Sequence, residues 1–287
     1  NLEVIINAVK TITSDDLAIL TDSKLVMSNI DMVLDMALTQ SGLKELVTIP
    51  AGTDWNSELM NIANVLNTAA FNTLLYKDGK MDFTRLSNPE ILIEAIKTIT
   101  NNDLAIFTDS NLIMTNVPGV LDMVLTQSGL KDVVTIPAGT DWNSELMRIV
   151  DVLNTAAFNL VAYKDGKFDL TGINNLGTII EAVKTITSDD LAIFTDSKLI
   201  MSNIDSVLGM ALAQSGLEGL VTIPAGTDWN SELMRIVNVL HTEAVNTLLY
   251  NAAGELTFEG INNLEVIINA VKTITSDDLA ILTDSKL

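Results

Sequence analysis

The string Val-Thr-Ile-Pro-Ala-Gly-Thr-Asp-Trp-Asn-Ser-Glu-Leu-Met occurs three times without a change, at Val47–Met60, Val134–Met147 and Val221–Met234, 87 residues apart. Self-similarity at a fixed period means that one folded unit is copied along the chain, so its 287 residues read as an array and not as one or two ordinary domains. Lys10, Lys97 and Lys184 keep the same interval, whereas Lys272 follows at 88 because one residue has been added between Tyr250 and Asn262. The units are therefore residues 1–87, 88–174 and 175–262, with a fourth starting at 263–287.

The fourth unit copies the first and not its neighbour. Asn1–Leu25 and Asn263–Leu287 are identical, while the third unit's counterpart differs from the closing segment at Gly177, Thr178, Glu181 and Phe194. Unit-by-unit duplication would not favour that match, and it suggests a larger block of 262 residues that itself recurs in a longer parent chain. The full gene sequence tests this hypothesis by containing further blocks or none. The opening at Asn1, with no basic segment or cleavage site, likewise reads as a mature piece or an internal fragment.

Within a unit the apolar spacing is helical. Leu2, Ile5, Ile6 and Val9 form one stripe, and the second unit opens this helix with Asn88-Pro89-Glu90, a cap, a proline at the first position and an acid in the first turn. Ser14-Asp15-Asp16 predicts a cap for a short second helix through Leu20, and Asp22-Ser23 starts a third that stops at Gly42. After an extended Leu46–Ile49 and a turn at Pro50-Ala51-Gly52, Thr53 is the expected cap of the longest helix, with Trp55, Leu59, Ile62 and Leu66 on one face and an end near Tyr76. Lys77-Asp78-Gly79-Lys80 then reads either as a helix stop, which is favoured, or as the turn of a short hairpin. The expectation is all-α, a tandem array of four-helix bundles of about 87 residues, with at most a short β-hairpin in each.

Candidates for chemistry are weak when compared across units. His241 is the only histidine, and its counterparts are Asn67 and Asn154, so no repeated site has a general base there. Asp15-Asp16 and Asp189-Asp190 could suggest calcium, but the second unit has Asn102-Asp103, and acids at a helix N-terminus need no ion to explain them. Asp78-Gly79-Lys80-Met81-Asp82 becomes Asn251-Ala252-Ala253-Gly254-Glu255 in the third unit, which keeps the glycine a turn requires and loses the ligands a metal would. Trp55, Trp142 and Trp229 are the only tryptophans. They are read as core or inter-repeat anchors, with stacking on a ligand as the alternative. No phosphate loop, nucleophile elbow or metalloprotease motif is present, and no cofactor is expected.

Charge narrows the partners. With 16 Lys and Arg against 37 acids, the net charge of −21 leaves no basic patch for nucleic acid and disfavours anionic membranes. The longest uncharged stretch, Leu59–Tyr76, reaches spanning length, yet Asn61, Asn64, Asn67 and Asn72 recur through it, so no membrane insertion is expected. The absence of cysteine fits both the cytosol and cysteine-poor surface proteins.

Near-identical acidic units, free of cysteine and of catalytic motifs, resemble as a class the tandem-repeat regions of bacterial cell-surface proteins. The resemblance implies an extracellular or cell-surface stalk or self-assembling filament and no enzyme, or else an adhesin whose repeats hold a host or cell-surface ligand. Its first partners would be neighbouring repeats and further copies of itself. Each unit would serve as a spacer about 30 Å across.

Overall fold

In the computed structural model, residues 2–127, 131–132, 134–215, 222–257 and 259–284 are described. Val221, which opens the third copy of the repeated string, and the last three residues of the duplicated segment lie outside them. The first repeat consists of α1 Leu2–Lys10, α2 Ser14–Asp22, α3 Lys24–Met27, α4 Ile30–Ser41, α5 Trp55–Leu66 and α6 Ala69–Leu75, then strands β1 Tyr76–Lys77 and β2 Lys80–Met81 and a 3-10 turn Phe83–Ser87. The second follows as α7 Pro89–Lys97, α8 Asn101–Asp109, α9 Asn111–Gln127, α10 Trp142–Asn154, α11 Ala156–Ala162, β3 Tyr163–Lys164, β4 Lys167–Phe168 and a 3-10 turn Leu170–Asn174. The third has α12 Leu176–Lys184, α13 Ser188–Asp196, α14 Lys198–Met201, α15 Ile204–Ser215, α16 Trp229–His241, α17 Glu243–Leu249 and a 3-10 turn Glu259–Asn262, after which α18 Leu264–Thr273 and α19 Ser276–Asp284 begin the fourth.

The helical repeat is as expected, and the four-helix count per unit is not. The long helix foreseen from Thr53 to Tyr76 breaks at Thr68, whose side chain accepts from the Phe71 amide at 3.3 Å and starts α6 as a separate helix. Apolar periodicity continues across the break, which hides it from a pattern reading. The cap of α5 is Asp54, which accepts from the Asn56 amide at 3.1 Å and the Ser57 hydroxyl at 2.9 Å. Thr53 instead closes the preceding turn with its hydroxyl on the Pro50 carbonyl at 2.7 Å. One position earlier than foreseen, Thr13 caps α2 in a reciprocal box with Asp16, and Thr100 with Asp103 and Thr187 with Asp190 do the same.

Lys77-Asp78-Gly79-Lys80 is a hairpin turn and not a helix stop. Its two central residues take positive φ, 51° at Asp78 and 74° at Gly79, the mirror-image turn whose twist suits paired strands, and Asp165-Gly166 repeats it at 53° and 72°. The residue added to the third repeat falls inside this turn. There Gly254 takes the positive φ, at 76°, and the ladder shrinks to a single Tyr250–Leu256 bridge. The chain rejoins its course at once: Thr257 N–H donates to the Leu249 carbonyl, as Asp82 does to Leu75 and Asp169 to Ala162.

In the first repeat the core gathers Leu2, Ala37, Leu38 and Leu43, with Ile5, Ile6, Phe83 and Leu86 packed against them. Gly42 ends α4 at φ 75°, letting the Leu43 amide reach the Leu38 carbonyl at 3.0 Å and turning Leu43 inward. Pro118 lies inside α9, at the position matching Asp31, where the first repeat is only beginning α4. A proline near a helix start costs little, which explains its acceptance here.

The described residues form two compact units, Asn1–Asp132 with Asp141–Val150, and Val133–Thr140 with Asp151–Leu287. Neither is one repeat. Each contains parts of successive repeats, because packing runs across the repeat boundary.

Candidate functional site

The most developed polar constellation in the first unit is the seam between the first and second repeats. Glu58 falls on the buried stripe of α5, 4 % exposed. Its carboxylate accepts from the Ser110 hydroxyl, from the Asn111 amide at 3.1 Å and from the Leu112 amide at 3.1 Å, at the N-terminus of α9. A helix N-terminus presents unpaired amides and a partial positive charge, so a buried carboxylate from another repeat satisfies both. Next to it, Asn61 donates to the Asp109 carbonyl at 2.8 Å. Val65 and Ala70 pack with Phe107 of the following repeat, joined by Ile106 and Ile113.

A second clasp uses the extended tract of the repeated string. The Asn116 side chain accepts from the Thr48 amide at 2.7 Å and donates to the Thr48 carbonyl at 2.9 Å, pairing with the backbone as a neighbouring strand would. In the second unit Asn203 holds Thr135 the same way, at 2.6 and 2.8 Å. Each asparagine also bonds the carbonyl four residues back, Leu112 or Leu199, at 2.7 Å, which fixes its rotamer.

A third cluster lies inside each of two repeats. Lys10 donates to Asn72 Oδ1 at 2.5 Å and sits 4.4 Å over the Tyr76 ring, while the Tyr76 hydroxyl donates to Asn7 at 2.6 Å. In the third repeat Lys184 bonds Asn246 at 2.8 Å and the Tyr250 hydroxyl at 3.1 Å, and Tyr250 donates to Glu181. Burial pushes the Lys10 pKa down and the Tyr76 pKa up, the latter with help from Glu3. Burial first, then the hydrogen bond to Glu181 and its charge, pushes Tyr250 up to about 12. A phenol held protonated is the opposite of an activated base. The arrangement ties the first helix of the repeat to its sixth.

Trp55, Trp142, Trp229, His241, Asp16 and Asp190 all lie in helices. Trp55 and Trp229 are each 5 % exposed, with indole N–H groups donating to Asp31 and Asp205 at 2.7 Å, and Trp229 packs with Leu191 and Leu233 of its own repeat. Trp142 is half-buried, and Pro118 stands where the matching carboxylate would be. His241 is exposed, its Nδ1 2.7 Å from the Val237 carbonyl one turn back in the same helix. Asp16 and Asp190 are capping residues, their carboxylates on the Thr13 and Thr187 hydroxyls at 2.6 and 2.7 Å. Among the described residues no group of three or more His, Asp or Glu is placed to hold a metal ion. Nor is any helix among them long and apolar enough to cross a membrane, the Leu59–Tyr76 stretch being divided at Thr68.

Glu58 and Asn116 were not singled out from the sequence. The signal for Glu58 was a charge on the apolar face of α5, but its partners are 52 to 54 residues away. No protein-family model, no curated protein and no solved structure matches the chain.

Proposed function

We propose that this chain is a structural repeat protein, serving as an extended stalk or a self-assembling filament at the cell surface, with neighbouring repeats as its principal partners. The observation that carries the reading is the seam itself. Buried Glu58 and Ser110 join the first repeat to the second at the start of α9, and the half-buried Asn116 clasps Thr48 across the same boundary. Buried, fully paired polar groups fix a single register between packed elements, which a load-bearing or length-setting array needs and a ligand pocket does not. The protonated Tyr250 and the solvent-facing His241 lend no support to catalysis. Burial of Trp55 and Trp229 supports anchoring over ligand stacking, so the adhesin reading ranks second.

Negative-stain electron microscopy of the purified chain across a concentration series tests the proposal. Rods of constant length support a stalk and particles that lengthen with concentration support a filament, whereas single compact globules refute both.

A further inference from the structure

In the first and third repeats a lysine amine is held against an asparagine carboxamide 62 residues away, Lys10 Nζ at 2.5 Å from Asn72 Oδ1 and Lys184 Nζ at 2.8 Å from Asn246 Oδ1. The third repeat fixes the carboxamide from both ends. Asn246 Nδ2 donates to the Thr242 carbonyl at 3.0 Å and to the His241 carbonyl at 3.4 Å, which leaves Oδ1 facing the amine. Glu181, Lys184, Asn246 and Tyr250 are all half-buried.

The third repeat also gives a proton somewhere to go. Lys184 Nζ donates to the Tyr250 hydroxyl at 3.1 Å, and that hydroxyl donates to the Glu181 carboxylate. The hydrogen bonds therefore point one way, from amine through phenol to carboxylate. A phenol whose pKa is pushed up to about 12 stays protonated while it passes a proton on, which makes the carboxylate the acceptor. In the first repeat Asn7 stands at the place of Glu181, and the Tyr76 hydroxyl donates to its carboxamide, a group that takes up no proton.

We propose that Lys184 and Asn246 form an intramolecular isopeptide bond, with Tyr250 and Glu181 relaying the proton. Lys184 passes one proton through Tyr250 to Glu181 and becomes a neutral amine. Its Nζ attacks Asn246 Cγ, a proton moves from the attacking nitrogen to Nδ2, and the Cγ–Nδ2 bond breaks. Ammonia leaves and takes the stored proton from Glu181 as ammonium. One carbon–nitrogen bond forms and one breaks, and nothing is oxidised or reduced. Holding both groups within one repeat gives the exchange the advantage of proximity that a bimolecular amide exchange lacks. The product joins α12 to α17 covalently, in a chain that has no cysteine to do so, and closes a loop as a disulfide would. It stiffens the third repeat in a stalk and in a filament alike.

Tryptic digestion of the full chain followed by mass spectrometry tests this. The expected product is one species joining the peptides that contain Lys184 and Asn246, uncut after Lys184 and lighter by one ammonia than their sum. Lys10 and Asn72 should appear in separate, unmodified peptides. Asn246→Ala removes the carbon under attack and should abolish the joined species. Glu181→Gln, its fold verified by circular dichroism, should lower it at least about tenfold at neutral pH. Raising the pH of that variant toward the ordinary lysine value of about 10.4 should restore it, because the amine then loses its proton to solvent. Separate, unmodified Lys184 and Asn246 peptides from the unsubstituted chain overturn the proposal, and a joined species that Glu181→Gln leaves undiminished overturns the relay.

Discussion

Replacing Glu58 with alanine removes the acceptor of three donors at once. Hydrogen bonds to a charged acceptor contribute about 1.5–3 kcal/mol each, and a buried donor left unpaired costs about 1–3 kcal/mol. The three do not add fully. Asn111 is exposed, so water can reach its amide, and the Ser110 hydroxyl oxygen still accepts from the Ile113 amide at 3.2 Å. The irreducible losses are the half-buried Leu112 amide and the fully buried Ser110 hydroxyl, which together put the cost near 3–4 kcal/mol. For a body of this size each kcal/mol lowers the midpoint by about 2–4 °C, so Glu58→Ala should lower the transition of the first unit by about 10 °C. Glu58→Gln keeps the shape and one acceptor oxygen and should lose roughly half as much. Calorimetry of the full chain reads the shift against the unsubstituted protein. Amide exchange at Leu112 should accelerate in parallel. A midpoint lowered by less than about 2 °C, or unchanged exchange at Leu112, refutes the claim that this carboxylate holds the seam.

Three further outcomes are expected. Gly172→Ala should cost about 1–3 kcal/mol in a denaturant melt, because a Cβ there would lie 2.3 Å from the Val161 carbonyl oxygen; an unchanged midpoint would show that the 3-10 turn yields freely. Tyr250 should stay protonated in alkali until about pH 12, and because its folded pKa is raised, its contribution is complete below the unfolded value near 10 and is lost as pH climbs between the two. Spectrophotometric titration checks this, and Glu181→Gln should move the ionisation downward. The Asp16 pKa is held below the ordinary carboxylate value by hydrogen bonds from the Thr13 side chain and backbone, so the α2 capping box is intact above about pH 4 and is lost as pH falls through the lowered pKa; a carboxyl titration at the ordinary value by NMR would contradict the box.

What a one-dimensional reading reaches here is local. The N-cap of α7, the stop at Gly42 and the turn at Asp78-Gly79 are each made by residues within a few positions of one another, and all three stood in the sequence. The apolar run before the last of these favours a continuing helix and so masks the turn. Thr68 was missed for the opposite reason: a threonine inside a periodic stretch breaks no pattern, and only the geometry shows its side chain capping a new helix. Glu58 and Asn116 could not have been paired with Ser110 and Thr48 from spacing, since their partners lie 52 and 68 residues away and the contact exists only once two repeats are packed. Trp55 was assigned correctly to a buried face, while the Asp31 carboxylate that satisfies its indole, 24 residues earlier, was invisible.

The turn of the third repeat shows where this architecture tolerates a change of length. One extra residue between Tyr250 and Leu256 costs a rung of the ladder, yet the Thr257 amide still finds the Leu249 carbonyl and α18 still starts at its Asn263 cap. The hairpin works as an expansion joint. Copying errors that insert residues at this point are absorbed before they reach the next repeat, so an array of this kind can grow and diverge without losing phase, and a foreign peptide grafted between Asn251 and Glu255 would ride on the surface with the register behind it untouched.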